Sequence, residues 1–377
     1  MTTHSGPTVS NYHRLLRSDA RHRWWRPLLV GLVAAALYTA AMLAILLVVV
    51  IAGLAVPAWE PVIDRVWSDE VDLGDPVTFA LLLGSLVVML PALVLATRLT
   101  GSRPVGLLSS VTGRLRSRWL VSSTLLAFAI WLPAMAVWFV VEAAAGTLEV
   151  RQVAPATTLT LLVTTLALVP FQAAAEEYVF RGYLAQLVGS WLRHPAFAVL
   201  LPTPLFVLGH GYDTLGAIDV AAFAVVCGWL TWRTGGLEAA IAVHIANNVV
   251  LMSLSAVGLG DPNATDTSPL GLGVSLGMMA VFTVLVTRRA DSLGIARTRL
   301  VVGVDGGDPD PGHRYDGHEL DGTAERQGPG EQDPAEVDRP VHRSERGGHG
   351  AAVVGGEPVD EQGREGQRLD HGGRQQP

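Results

Sequence analysis

The chain is poor in several residues on which soluble chemistry often relies. It has one cysteine, Cys227, in 377 residues. A single thiol excludes an intrachain disulfide and any cysteine-based metal cluster. Lysine is absent, so all 27 basic residues are arginine; no functional meaning is attached to that bias. Charge of either sign is scarce: 16% of residues are charged and 50% hydrophobic, with a mean hydropathy of +0.36. An ordinary soluble domain carries roughly 25% charged residues. A cleavable leader is not expected either. The first 26 residues are Arg-rich, but the apolar block behind them is too long for a signal h-region and lacks a small-residue cleavage site.

The apolar residues are gathered into blocks of about 20 residues or more, the length that spans a bilayer. Eight membrane helices are expected, at 28–56, 77–97, 119–144, 157–190, 196–212, 217–233, 237–257 and 270–287. Pro202 and Pro204 should kink the fifth. The expected fold class is all-α, a polytopic membrane helix bundle of about eight transmembrane helices with a disordered C-terminal tail. Four segments follow: an Arg-rich arm (1–27), N-terminal transmembrane helices (28–150), a second membrane domain (151–289) and a hydrophilic tail (290–377). From residue 301 on there are 17 acids against 8 arginines, whereas the first 300 residues carry 17 acids against 19 arginines. A Gly-, Pro- and Asp-rich segment of this kind buries too little apolar surface to offset its chain entropy. His313, His318, His342, His349 and His371 are irregularly spaced along it and read as solvated.

Loop charge orients the bundle. Arg14, Arg17, Arg21, Arg23 and Arg26 lie in the arm; Arg98, Arg103, Arg114, Arg116 and Arg118 in the second loop; Arg193, Arg233, Arg288 and Arg289 in later ones. An eight-helix count puts them all on one side. Glu60, Asp64, Asp69, Glu70, Asp72, Asp75, Asp213, Asp261 and Asp266 fall on the other. The positive-inside rule then places both termini in the cytoplasm of a multi-pass cell-membrane protein. Trp24, Trp25, Trp119, Trp191 and Trp232 are expected in interfacial belts.

Three polar clusters lie within or beside apolar blocks, where charge is costly. The first, in "FQAAAEEYVFRGYL", is Glu176-Glu177-x-x-x-Arg181. Glu177 and Arg181 are four apart, share a helix face and can pair. Glu176 points about 100° away and lacks that partner. Gln172, one turn earlier, is within reach of it. The second cluster is Phe206-x-x-x-His210, with Phe206 read as packing. The third is His244-x-x-x-Asn248. Glu176 and His210 each lie about 15 residues from the turn near Trp191–Pro195, so an antiparallel hairpin sets both roughly 20 Å above it. His244 follows Gly235-Gly236 by eight residues, or about 12 Å, within the slack of helix ends and tilt. Read singly, His210, His244 and Asn248 could each be interhelical polar contacts. Together they make a candidate site.

"EEYVFRGYL", "FVLGHG" and "HIANN" resemble the three signature motifs of the type II CAAX prenyl endopeptidases and their bacterial relatives, the CPBP group of intramembrane proteases. The resemblance covers about residues 155 to 257. It implies an intramembrane endopeptidase acting on a membrane-associated protein or peptide. Glu176 matches the general base and His210 the histidine that helps activate water. His244 and Asn248 match the pair that stabilises the oxyanion or completes the site, and Glu177 and Arg181 match an adjacent pair read as structural. Peptide hydrolysis needs such a base and such donors. Two alternatives stand beside it: a proton-coupled transporter using the same residues, and a non-catalytic scaffold or immunity protein. No cofactor is favoured. Zinc is the alternative, with Glu176, His210 and His244 as ligands, although the H-E-x-x-H spacing is missing. Lipid and a membrane-bound substrate are the expected partners; nucleic acid is not.

Overall fold

Proline and short polar side chains punctuate the apolar blocks, and the helices start at them. The computed structural model describes residues 8–19, 22–68, 71–100 and 104–301. Its helices are α1 (Arg26–Ala55), α2 (Glu60–Val66), α3 (Pro76–Thr100), α4 (Ser117–Ala145), α5 (Pro155–Glu177), α6 (Ala185–Trp191), α7 (Pro195–Leu200), α8 (Thr203–Leu208), α9 (Thr214–Thr234), α10 (Glu238–Ala256) and α11 (Pro269–Ser292). Proline occupies the first turn of α1, α5, α7 and α11, where its missing N–H costs nothing. Asp213 caps α9 by accepting from Gly216 N at 2.7 Å, and Ser268 caps α11 by accepting from Gly271 N at 3.0 Å. Each satisfies an amide that the helix leaves orphaned.

Seven helical stretches are long and apolar enough to cross a membrane: α1, α3, α4, the run Pro155–Trp191, α9, α10 and α11. They coincide with seven of the eight expected blocks. The remaining block, 196–212, differs. Only Pro195–Leu208 is helical there, and it is split into α7 and α8. Pro202 and Pro204 cannot donate to the backbone ladder, and helix α8 ends at Leu208, before His210 rather than beyond it.

Two strands close the ends. β1 (Thr8–Asn11) and β2 (Thr298–Val301) pair antiparallel, with Thr8 opposite Val301 and Asn11 opposite Thr298. The helical body therefore ends on the side where it began. Between the fourth and fifth of the seven long stretches lies the shorter apolar segment Pro195–Leu208, which holds α7 and α8.

Between β1 and α1 a 3₁₀ helix, Tyr12–Ser18, docks on the end of α6. Tyr12 donates its hydroxyl to the Leu108 carbonyl. Arg14 donates to Gly189 O and Leu192 O, and Arg17 to Ser190 O. Nearby, Arg116 grips the buried Glu238 carboxylate and the carbonyls of Thr234 and Ala296. Arginines of the arm and of the second loop thus tie down the end of α6 and the turn from α9 into α10. Gly235, at φ +68, turns the chain from α9 into α10, where a Cβ would lie 2.6 Å from the Ala296 carbonyl.

Helix α10 is the central element, packed against α4, α5 and α9. Its span is 56% buried by protein, against 6% for α1. Ala239, Ala240, Ala242 and Ala246 are fully buried, and such small residues let helix backbones approach closely. Trp119, expected at the interface, lies instead in this core with Trp131. Its position near the start of α4 suggested a lipid boundary, but the helix turns that face inward. Of the segment expected to be disordered, residues 290–301 complete α11 and form β2. Residues 302–377, with the five tail histidines, lie outside the described residues.

Candidate active site

Glu176 and Glu177 occupy the last turn of α5, and both are buried. The chain then continues as a π-helical stretch, Tyr178–Leu184, before resuming as α6. Such wide turns inside α-helices frequently occur at functional sites. Here the stretch carries Arg181 beneath Glu177, with Nη1 donating to Glu177 Oε1 at 2.9 Å. Arg181 Nη2 donates to the Ala224 carbonyl on α9 at 3.2 Å, and the guanidinium lies 4.3 Å from the Phe206 ring centroid. The expected Glu177–Arg181 pair is present and is almost wholly removed from solvent.

Glu177 has a second partner that the sequence did not indicate. His244, on α10, places Nδ1 2.9 Å from Glu177 Oε1. An ionised carboxylate only accepts, so Nδ1 carries the proton and Nε2 faces the other way. There it lies 3.6 Å from Glu176 Oε2, too far for a direct hydrogen bond. Among the described residues Glu176 Oε2 is buried without a hydrogen-bond partner. Its other oxygen, Oε1, accepts from Gln172 Nε2 at 2.8 Å. One oxygen of Glu176 is thus fixed, and the other is presented beside an imidazole nitrogen.

Asn248 joins the same group. Its Nδ2 donates to Gln172 Oε1 at 3.2 Å, and its Oδ1 accepts from Asn247 Nδ2 at 3.1 Å. The expected reach of Gln172 to Glu176 is therefore realised, and Gln172 also links Glu176 to Asn248.

His210 is placed apart. It follows α8 in an irregular turn, and its Nδ1 donates to the Phe206 carbonyl at 2.7 Å. Its ring packs on Phe206 with centroids 4.6 Å apart, and His244 meets the same Phe206 ring edge-on at 6.2 Å. Among the described residues no polar contact joins His210 to Glu176 or His244. Phe206 packs against the site, as expected. The early end of α8 accounts for the offset, since the depth estimate assumed an unbroken helix through position 210.

Zinc held by Glu176, His210 and His244 would need all three side chains around one point. Among the described residues no three His, Cys, Asp or Glu side chains are so grouped. Glu176 and His244 are neighbours, but the His210 ring meets Phe206 instead. The arrangement does not fit a three-ligand zinc site.

The residues drawn together lie on α5 and α10, within the stretch that carries the signature motifs. Residues 157–250 match the sequence model of the Rce1-like type II CAAX prenyl endopeptidases. That similarity is confined to about a quarter of the chain. All the side chains of the Glu176 cluster named above fall inside the matched stretch. The chain is also 27% identical over 192 residues to a Bacillus subtilis (strain 168) protein named Uncharacterized protein YyaK, a match covering 48% of this chain and 63% of that relative. The chain thus spans less than two thirds of the length of the curated relative it matches. No solved structure matches. Among the helices outside the matched stretch, α3 packs on α5, α4 on α10 and α11 on α9, and α4 brings Trp131 to the site: its Nε1 donates to Asn247 Oδ1 at 3.1 Å.

Proposed function

We propose that the protein is an intramembrane endopeptidase that hydrolyses a peptide bond of a membrane-associated protein or peptide, with water activated by Glu176. One observation carries this reading: Glu176 Oε2 is buried and unpartnered, 3.6 Å from His244 Nε2, while Oε1 is held by Gln172. A water seated against Oε2 gives its proton to Glu176 as its oxygen attacks the peptide carbonyl carbon. The carbonyl oxygen becomes the oxyanion, and Glu176 returns the proton to the leaving amine. General-base chemistry requires this reach. Asn248 has a second Nδ2 hydrogen beyond the one given to Gln172, and the imidazolium form of His244 donates from Nε2; both are suited to a developing oxyanion. His210, whose ring orientation is set by the Phe206 carbonyl, packs on the Phe206 ring beside the cluster, and no step is assigned to it. No step in this reading passes through a metal. Arg14, Arg17 and Arg116, at the end where β1 and β2 pair, support a cytoplasmic location for both termini.

The test compares new protein termini in cells expressing wild-type protein and the Glu176→Gln variant, followed by cleavage of the peptide so identified by the purified proteins. The expected outcome is a normally folded variant that no longer cuts. Undiminished cleavage by Glu176→Gln would remove the catalytic assignment.

A further inference from the structure

Four hydrogen bonds link α4 to Glu176, and all run in one direction. Trp131 Nε1 donates to Asn247 Oδ1, Asn247 Nδ2 to Asn248 Oδ1, Asn248 Nδ2 to Gln172 Oε1, and Gln172 Nε2 to Glu176 Oε1. We propose that Trp131, which lies outside the Rce1-like stretch, is a positioning residue: its indole N–H sets the orientation of three successive amides and so fixes the carboxylate of Glu176. The proposal rests on the reading of Glu176 as the base.

A side-chain amide has a donor end and an acceptor end, and either can face a neighbour. A chain of three amides alone could run in either direction. The two ends decide between them. An indole nitrogen only donates, and an ionised carboxylate only accepts. Reversing the chain would set N–H against N–H at Trp131 and a carbonyl oxygen against the carboxylate at Glu176. Both would be unpaired polar contacts in a buried setting, which is where they cost most. The observed direction satisfies every link.

Trp131 is well suited to hold the far end. Its side chain is fully buried, and Phe282 on α11 packs edge-on against it at 6.2 Å. The ring therefore has little freedom to turn its N–H away. Two consequences reach the site. Gln172 must show its NH₂ to Glu176, which occupies Oε1 and leaves Oε2 for water. Asn248 must show its NH₂, not its carbonyl, on the Gln172 side, where the oxyanion donors are needed. Without the indole donor, Asn247 is released to flip, Asn248 loses the donor that holds its Oδ1, and only the Glu176 end is left to keep the chain in its direction.

The experiment uses full-length protein in detergent with ¹⁵N-labelled tryptophan. The indole N–H signal that vanishes in Trp131→Phe identifies Trp131. Gln172→Met, which leaves Asn247 and Trp131 untouched, is expected to shift that signal, because it removes the acceptor that orients Asn248. An unmoved Trp131 signal would overturn the relay, whatever the activity. The second arm measures cleavage of the peptide identified by the wild-type and Glu176→Gln comparison. Trp131→Phe keeps an aromatic ring and is expected to lower kcat roughly tenfold, the scale of one lost buried hydrogen bond, with KM little changed. Adding Trp131→Phe to Gln172→Met should cost nothing further, since the chain is already broken. Additive losses would assign Trp131 to packing alone. Cleavage retained by Glu176→Gln would remove the proposed function, while the indole shift would still report on the relay.

Discussion

His244 gives its Nδ1 proton to Glu177 across 2.9 Å, and the oxygen that receives it is the one that receives Arg181. Glu177 is thus shared between a guanidinium on its own helix and an imidazole on α10. A carboxylate behind a histidine fixes its tautomer and ring orientation. The sequence pairs Glu177 with Arg181 alone; the structure gives it a second role, aiming His244 Nε2 toward Glu176.

Replacing Glu177 by glutamine tests that role. The amide oxygen can still accept from His244, but the amide can also turn its NH₂ toward the ring, so the tautomer and aim of the imidazole are no longer fixed. We expect kcat to fall about 10- to 100-fold, the range found when such supporting groups are altered, with membrane insertion retained. Steady-state cleavage kinetics check it, and an unchanged kcat would reduce Glu177 to a purely structural partner.

Arg181→Ala acts on stability instead. It leaves the buried Glu177 carboxylate with only the His244 hydrogen bond, removes the bond to the Ala224 carbonyl and empties the place over the Phe206 ring. A loss of about 3–5 kcal/mol is expected for breaking one side of a buried pair. Arg181→Lys keeps the charge but cannot reproduce the forked geometry, so it should fall between the variant and wild type. Thermal unfolding in detergent orders the three proteins, and a normal midpoint for Arg181→Ala would refute the ion-pair role.

Much of this fold was legible because lipid imposes simple rules. Apolar block length marked the seven long helices. The i,i+4 spacing of Glu177 and Arg181, and of Gln172 and Glu176, foretold two contacts within one helix. What stayed hidden depends on contacts between helices. Trp131 in "FAIWLPAM" looks like any lipid-facing aromatic, and Asn247 reads as a neighbour of the motif asparagine. Only the packing of α4 against α10 joins them. The depth arithmetic paired Glu176 with His210 and set His244 shallower. A π-helical stretch fits more residues into each turn than a uniform α rise assumes, which lowers Glu176 toward His244. The prolines ended α8 early, which moved His210 out of the expected register.

The docked arm should respond to pH through His13. Burial, chiefly, holds its pKa below the ordinary 6.5; the bond to the Arg193 carbonyl opposes this, and the charges of Arg14 and His194 add to the depression. Nε2 donates to that carbonyl, and Nδ1 is buried without a partner. The released arm therefore binds a proton more readily than the docked one. The His13 contribution to docking is complete above about pH 6.5 and is lost as pH falls toward the lowered docked value. The hydrogen-exchange protection of Tyr12–Ser18, taken relative to the intrinsic rate at each pH, should fall on acidification through that window. His13→Gln should flatten the response, and a response that persists in that variant would assign it to other groups.

Gly189 gives a test of the same docking that needs no titration. It lies on α6 beneath the arm, and a Cβ there would sit 1.9 Å from the His13 carbonyl oxygen and 2.7 Å from its carbon. These are backbone atoms, so the clash cannot be relieved by turning a side chain. In a helix interior, alanine is otherwise favoured over glycine by about 1 kcal/mol. Gly189→Ala therefore sets a small gain in α6 against loss of the arm's seat. We expect the arm to lift, taking with it the bonds from Arg14 and Arg17 to the end of α6 and exposing Leu15 and Leu16. Limited proteolysis at Arg14 and Arg17 reads this directly, because both bonds are closed to a protease while the 3₁₀ helix is docked. Faster cleavage in Gly189→Ala than in wild type is the expected result. Equal rates would mean that the backbone contact at Gly189 does not hold the arm in place.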